Sequence, residues 1–429
     1  MIRLVYAERL ILLIAIVVEL DWIVLHDSVR GSAYLLGLRG QHISNLVCLR
    51  PSNKQRRKTE GSQIGETLNS RRSHIIMVAI TDHNVVYADG KKIHYLAAGP
   101  ANGPLVLFIH GWPGSAITWK AQIDAFASVG FRAIAPDMPG YGQSTARRVA
   151  DDYCQEAIVE GMLALLADTG RDAAIWVGHD WGAGVTSSVA TQHPEVVKAL
   201  VNMSVPFHTI ERGWQGFLPY VNRELYPADE YEFGQWDYMK NWEENFEKTV
   251  EWFDSDIAGM CKASLQPSTP PSSRFAPLFA TVRKSGWMGG APKPPSVEMT
   301  GPPVLPAEVF DSFVQDMQRT GFWAGSAYYL HHARNAEYNG KREGKLDQPV
   351  LFIHDARDVI CDTITSRLVE PMRENCSNLT EVTIDAGHFA QYEKPEEVHA
   401  AIFRFIVEEL PSEWPGFWTA GYTKKKSVL

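Results

Sequence analysis

The stretch WVGHDWGAGV, Trp176–Val185, decides the fold. The apolar run Ala173–Val177 reads as a short buried strand, and the residues from Ala183 onward read as a helix. Gly178 and Gly182 stand two residues before and two after Asp180. Small residues at those places allow the sharp, strained strand-to-helix bend that thrusts its tip residue into a cavity. Such a tip commonly carries serine, which attacks acyl carbons. A carboxylate in its place displaces a leaving group at a saturated carbon and is left as an alkyl ester.

On either side of this turn the pattern is regular. VVYADGKKIHYLAAG predicts a hairpin at a sheet edge, and PLVLFIHG predicts a fully buried strand. A helix over Ala116–Val129, the strand FRAIAPD and a helix over Gln155–Asp168 precede the turn, and the strand KALVNMSV follows it. Strands and helices alternating at short spacing predict a parallel sheet with right-handed crossovers. The rhythm stops between Phe207 and Lys345 and restarts with PVLFIHDARD, the strand LTEVTID and a helix over Pro395–Glu409. The expected layout is therefore a core from 77–206 and 346–410, a lid insertion at 207–345 and a C-terminal tail at 411–429. Residues 1–76 read as an N-terminal extension, either disordered or a weak anchor. The lid is rich in Trp and Tyr, and its Pro/Gly/Ser tract from Gln266 to Pro306 is expected to be a long surface loop.

The chain has 429 residues and a net charge of −9. It lacks the basic surplus that nucleic-acid binding needs, so no nucleic-acid partner is expected. Five scattered cysteines (Cys48, Cys154, Cys261, Cys361, Cys376) form no Cys-x-x-Cys pair. They read as free thiols in a reducing compartment rather than a disulfide or zinc framework, and a cytoplasmic location is expected. Leu10–Val18 is continuously apolar behind Arg3 and Arg9, but Glu19 and Asp21 end the run well short of the roughly 20 residues that span a bilayer. Weak membrane association through residues 1–25 is thus an alternative, as is a peroxisomal location from the ending KKKSVL, which lacks a basic residue between Ser and Leu.

Three side chains fall just beyond strand ends in the order Asp180, Asp358, His388, the nucleophile–acid–histidine order of a strand–turn–helix nucleophile site. Asp355 and Asp362 compete with Asp358 as the acid that orients the histidine. In HGWPGSAITW, a turn leaving the strand at Ile109 can aim the Trp112 N–H into the site, where the Trp181 N–H meets it. Two such donors form an oxyanion hole, and losing one costs on the order of 3 kcal/mol of barrier. Water activated by His388 would then attack the Asp180 ester. The substrate should carry an electrophilic saturated carbon, as an epoxide or a carbon–halogen bond does. His179, His331 and His332 read as structural, and neither a metal nor an organic cofactor is expected.

The segments HGWPGS, PDMPGYGQS, GHDWGAG, FIHDARD and DAGHFAQYEKPEEV together resemble the motifs of soluble-type epoxide hydrolases in the α/β-hydrolase superfamily, from about Asp82 to Leu410. The resemblance implies an α/β-hydrolase core with a mostly parallel sheet and an inserted helical lid, and a small apolar epoxide converted to a vicinal diol. It also implies two lid tyrosines that donate to the epoxide oxygen. FGQWDYMKNW places the first at Tyr238; TGFWAGSAYYLHHARN places the second at Tyr329, with Tyr328 its rival. Two departures stand out: Trp112 where many relatives carry Phe, and Ala324-Gly325-Ser326-Ala327 in the second tyrosine segment. The Trp112 indole keeps open a haloalkane dehalogenase using the same triad, with Trp181 and a second indole or amide on the halide. A ligand-binding receptor on the same fold is the third reading.

Overall fold

The computed structural model describes residues 22–27, 32–39, 42–49, 79–268 and 277–415. The chain divides into two units, Met1–Ile76 and Met77–Leu429. In the first, strands β1 (Trp22–Asp27), β2 (Ser32–Arg39) and β3 (His42–Leu49) form an antiparallel sheet, an element that the sequence reading did not anticipate. The apolar run Leu10–Val18, the basic tract after Leu49 and the C-terminal KKKSVL lie outside the described residues. Among those described, no helix is long and apolar enough to cross a membrane.

The second unit opens with the expected edge hairpin, β4 (Thr81–Val86) and β5 (Lys92–Ala98). Then follow β6 (Leu105–Ile109), α1 (Lys120–Ser128), β7 (Arg132–Pro136), α2 (Gln155–Asp168), β8 (Ala174–His179), α3 (Trp181–Gln192) and β9 (Val197–Met203). The lid contributes α4 (Asp237–Glu244), α5 (Phe246–Asp254), α6 (Ile257–Ser264), α7 (Ala307–Thr320) and α8 (His332–Gly340). The core closes with β10 (Val350–Asp355), β11 (Leu379–Ile384) and α9 (Pro395–Glu409). The eight-stranded sheet runs β11-β10-β9-β8-β6-β7-β5-β4, with all neighbours parallel except those involving β5.

Alternation along each central strand explains why these segments read as unbroken apolar runs: both faces are covered. Leu107, Trp176, Leu200 and Phe352 face the α2/α3 layer, while Phe108, Val177, Val201 and Ile353 face α1 and α9. The chain leaves β6 for β7 on one side and returns to β8 on the other. The carboxyl ends of β6 and β8 therefore flank a switch point, where open α/β sheets place their ligands.

The Gln266–Pro306 tract is the expected surface loop over most of its described length, with some local structure. Beyond residues 269–276, which are not described, it forms short helical turns at Pro277–Ala280 and Val282–Ser285. It packs onto α4–α6 instead of standing off them. Arg283 Nε donates to Asp237 Oδ1 at 2.6 Å, Lys262 Nζ to Val297 O at 2.6 Å, and the Trp287 ring meets Phe253 edge-on at 4.7 Å. Ala280, Val282 and Leu305 are buried, and Phe279 and Trp287 are half-buried against the core, contacts that overall composition hides.

Candidate active site

Asp180 sits between β8 and α3 with φ 53° and ψ −125°, a conformation that a residue other than glycine adopts only under strain. The neighbouring positions tolerate no bulk: a Cβ on Gly182 would lie 2.1 Å from the Ile109 carbonyl oxygen. The strain therefore falls on the one residue whose side chain the bend presents. Trp112 N–H, from the turn after β6, donates to Asp180 Oδ1 at 2.7 Å. Trp181 opens α3, where backbone N–H groups lack acceptors within the helix and the helix end favours negative charge. Of the two expected oxyanion donors, the Trp112 N–H is bonded to the carboxylate, and Trp181 follows Asp180 directly at the start of α3.

The other carboxylate oxygen, Oδ2, faces His388 Nε2 at 3.5 Å. On the far side of the ring, His388 Nδ1 is 2.9 Å from Asp358 Oδ2. The two rival acids lie elsewhere. Asp362 accepts from the N–H groups of Ile364 and Thr365 and stabilises a turn. Asp355 ends β10 in phase with Leu351 and Ile353, so its side chain falls in the α1/α9 layer; neither of its oxygens has a hydrogen-bond partner. Burial, reinforced by the charge of Asp358, pushes the Asp355 carboxyl far above the usual range, so it is held neutral.

Charges at the centre interlock. Burial alone would raise Asp180, but the hydrogen bond and charge of His388, together with His179 and the Trp112 N–H, hold it below its ordinary value. Burial alone would raise Asp358 too; His388 and the Ser204 hydroxyl bring it down to about 2. Burial pulls His388 down, and the charges and hydrogen bonds of Asp358 and Asp180 overcome this and lift it well above its ordinary value. Each of the three groups thus favours the charged form of its neighbour.

Ser204 was not singled out from the sequence. Its Oγ donates to Asp358 Oδ2 at 2.7 Å and lies 3.0 Å from His388 Nδ1. Its φ is 66°, and across it Val205 N–H donates to Met203 O at 2.8 Å. This is the rare γ-turn with positive φ, a strained conformation at the end of β9. The only sequence signal was a small polar residue between an apolar strand and Pro206. His179, read as structural, donates from Nε2 to the His388 carbonyl at 2.6 Å and so props the His388 loop. His331 and His332 meet Ala150 O and Glu243, and among the described residues no cluster could hold a metal ion.

Asp180, His388, Trp112, Tyr238 and Tyr329 line one cavity of about 370 Å³, whose remaining wall is mostly apolar and includes the aromatic rings of Phe253, Phe279, Trp287 and Phe389. Tyr238, on α4, and Tyr329, in the turn Ala327–Leu330, bring their rings within 6.0 Å of each other. Both are buried, and burial, aided by the Asp180 charge, raises their phenols far above the ordinary value, so both keep their protons. Tyr328 points away: its hydroxyl donates to Pro139 O at 2.9 Å. The Trp112 indole N–H donates to Ser326 Oγ at 3.0 Å, which occupies the indole that kept the dehalogenase reading open. Ser326 belongs to the segment that departs from the family pattern, and it explains how a tryptophan fits there.

The sheet order, the strained turn and the inserted lid define a protein of the α/β-hydrolase fold. A family model described as alpha/beta hydrolase fold matches residues 104–247. The chain is 30% identical over 328 residues to Epoxide hydrolase A of Mycobacterium tuberculosis, covering 75% of this chain and 96% of that protein. It is 27% identical over 348 residues to Bifunctional epoxide hydrolase 2 of Rattus norvegicus, covering 76% of this chain and 55% of that one. The solved structure of Epoxide Hydrolase A from Mycobacterium thermoresistibile matches with a TM-score of 0.64 at 28% identity, over 77% of this chain and 98% of that one. An epoxide hydrolase of Vigna radiata matches with a TM-score of 0.63 at 26% identity, over 79% and 100%. The chain belongs to the epoxide hydrolase family.

Proposed function

We infer that this protein hydrolyses epoxides to vicinal diols through an alkyl ester on Asp180. One observation carries the choice of leaving group: two buried, protonated phenols, Tyr238 and Tyr329, share the cavity with the carboxylate. An epoxide oxygen leaves as an alkoxide and needs such donors, whereas a halide needs only N–H groups and apolar surroundings. In the first step Asp180 Oδ2 bonds to a ring carbon, the carbon–oxygen bond breaks, and the oxygen takes up a proton delivered through a tyrosine hydroxyl.

Alkylation also changes the base. With Asp180 an ester, the charge and hydrogen bond that it lends His388 are gone, so the imidazole gives up its proton more readily; that proton balances the one taken up by the alkoxide. Neutral His388 then accepts a proton from water at Nε2, and hydroxide adds to the Asp180 carboxyl carbon. Negative charge gathers on Oδ1, already held by the Trp112 N–H; collapse expels the diol oxygen, which takes up the proton of the Asp180 carboxyl so formed, and Asp180 is left ionised with His388 protonated. The core supplies the carboxylate, base and oxyanion donors; the lid supplies the acids.

The test uses a His388→Gln variant, which can open the ring but not hydrolyse the ester. Intact-protein mass spectrometry after exposure to styrene oxide should show a gain equal to the whole epoxide, mapped to the peptide containing Asp180. An alkyl gain from a bromoalkane with none from the epoxide would replace this reading with dehalogenation. No adduct from either would favour a receptor.

A further inference from the structure

Asp180 and Tyr238 line two cavities, and the two are very unequal. The first, about 370 Å³, carries Phe253, Phe279, Trp287 and Phe389 in its wall. The second, about 20 Å³, is bounded by Phe217, Trp236, Met239, Cys361 and Leu368, and shares only Asp180 and Tyr238 with the first. A space of that size holds about one water molecule or one methyl group.

The small cavity's walls are fixed. The Trp236 indole N–H donates to Ile360 O at 3.0 Å, and the Phe217 ring meets Trp236 edge-on at 4.8 Å. Phe217, Trp236, Met239 and Leu368 are almost fully buried. Enlarging this space would break packing on both sides of the lid–core seam, where interiors are close-packed.

An epoxide reacting here puts the attacked carbon against Asp180 and its oxygen against the tyrosines. The substituents on its two ring carbons then diverge, one into each cavity. We propose that the substrates are epoxides with one bulky, apolar, aromatic-sized arm on one ring carbon and no more than a methyl group on the other. This rests on the epoxide-hydrolase reading above and goes beyond it by naming the substrate class. The limit is set by Leu368, Met239 and Phe217 rather than by the catalytic groups.

The experiment measures kcat/KM, by diol formation, for styrene oxide and its trans-β-methyl, trans-β-propyl and trans-β-phenyl derivatives. The methyl compound should stay within about tenfold of styrene oxide, and the propyl and phenyl compounds should fall on the order of 100-fold, as a pocket discriminates against groups it has no room for. Hydrolysis of the phenyl compound within about tenfold of styrene oxide would overturn the proposal. Leu368→Ala and Met239→Ala, made separately, should each raise the ratio of phenyl to unsubstituted turnover on the order of tenfold. A ratio unmoved in both folded variants would show that this cavity is not the second arm. If styrene oxide itself is not hydrolysed, the epoxide reading fails, an outcome distinct from a failure of the size limit alone.

Discussion

Replacing Tyr329 or Tyr238 with phenylalanine removes one oxygen from each and tests whether the lid phenols act on the leaving group. The rings should stay in place. Tyr329 stacks on Trp242 at 5.6 Å with 12° between planes, and Tyr238 packs edge-on against Phe279 at 5.6 Å; neither contact needs the hydroxyl. What is lost is one hydrogen bond to a developing alkoxide in a site shielded from water, worth about 1.5–3 kcal/mol. Each single variant should therefore slow ring opening by about 10- to 150-fold. The double variant should be slower than either, because no donor remains on that wall. The assay is the rate of Asp180 adduct formation with styrene oxide in the His388→Gln background, read by mass spectrometry, which isolates the first step. Ester hydrolysis with native His388, followed in a single turnover, should change little. Phe variants that form the adduct at the native rate, or that slow only the breakdown of the ester, would refute the assignment of these tyrosines as acids for ring opening.

Three further outcomes follow from the charges at the centre, the strained turn at Ser204 and a buried carboxylate outside the site. Asp358→Asn removes the largest influence that raises His388, so the pH at which the ester decays at half its limiting rate should move down, while the limiting rate itself falls on the order of 10⁴-fold for lack of an orienting acceptor; single-turnover decay from pH 5 to 9 reads both. Ser204→Gly and Ser204→Ala should each slow ester decay by about tenfold through loss of one donor to Asp358, and urea melts should find the glycine variant more stable than the alanine variant by about 1 kcal/mol, since only alanine keeps the strain of positive φ. Asp137 accepts from Ala116 N–H, Gln143 N–H and His94, bonds that outweigh its burial and hold its carboxyl below 3.8. A depressed carboxylate stabilises the fold above that pH and ceases to as the pH falls, so Asp137→Ala should cost about 3 kcal/mol at pH 7, and the gap between the two urea melts should narrow below pH 3.8.

What was legible in the sequence is what local sterics impose. Gly182 is required because the Ile109 carbonyl lies where a Cβ would go, and the bend that it permits marks Asp180 without any knowledge of the rest of the fold. Strand alternation likewise predicts the sheet, and chain order proposes Asp358 and His388. Other choices depended on facts that spacing does not carry. Asp355 is excluded by the parity of β10, which turns its side chain into the α1/α9 layer, and this is known only once the strand's last residue is known. Tyr328 and Tyr329 differ by the phase of a short 3₁₀ turn, so one reaches the cavity and the other the Pro139 carbonyl. Ser204 acquires its contacts from a γ-turn that has no periodic signature. The proline-rich tract is largely the loop that its composition signals, but composition does not show that its aromatic residues, Phe279 and Trp287, reach the cavity wall.

The two halves of the site also differ in how freely they can be altered. Tyr238, Met239 and Trp236 are neighbours in one lid segment, so the residue proposed to donate to the epoxide oxygen shares its backbone with two residues that close the small cavity. Leu368 closes the same cavity from the core, on a segment that carries no donor. Widening the cavity from the lid should therefore disturb the donor, and widening it from the core should not. Trp236→Ala loses the bond to Ile360 O as well as its bulk, and it should slow ring opening of styrene oxide more than Leu368→Ala does, even though both create room for a second substituent. Adduct formation rates in the His388→Gln background compare the two directly. If the order were reversed, Tyr238 would owe its position to the core, and the division of labour between a core that bonds to the substrate and a lid that protonates it would have to be redrawn.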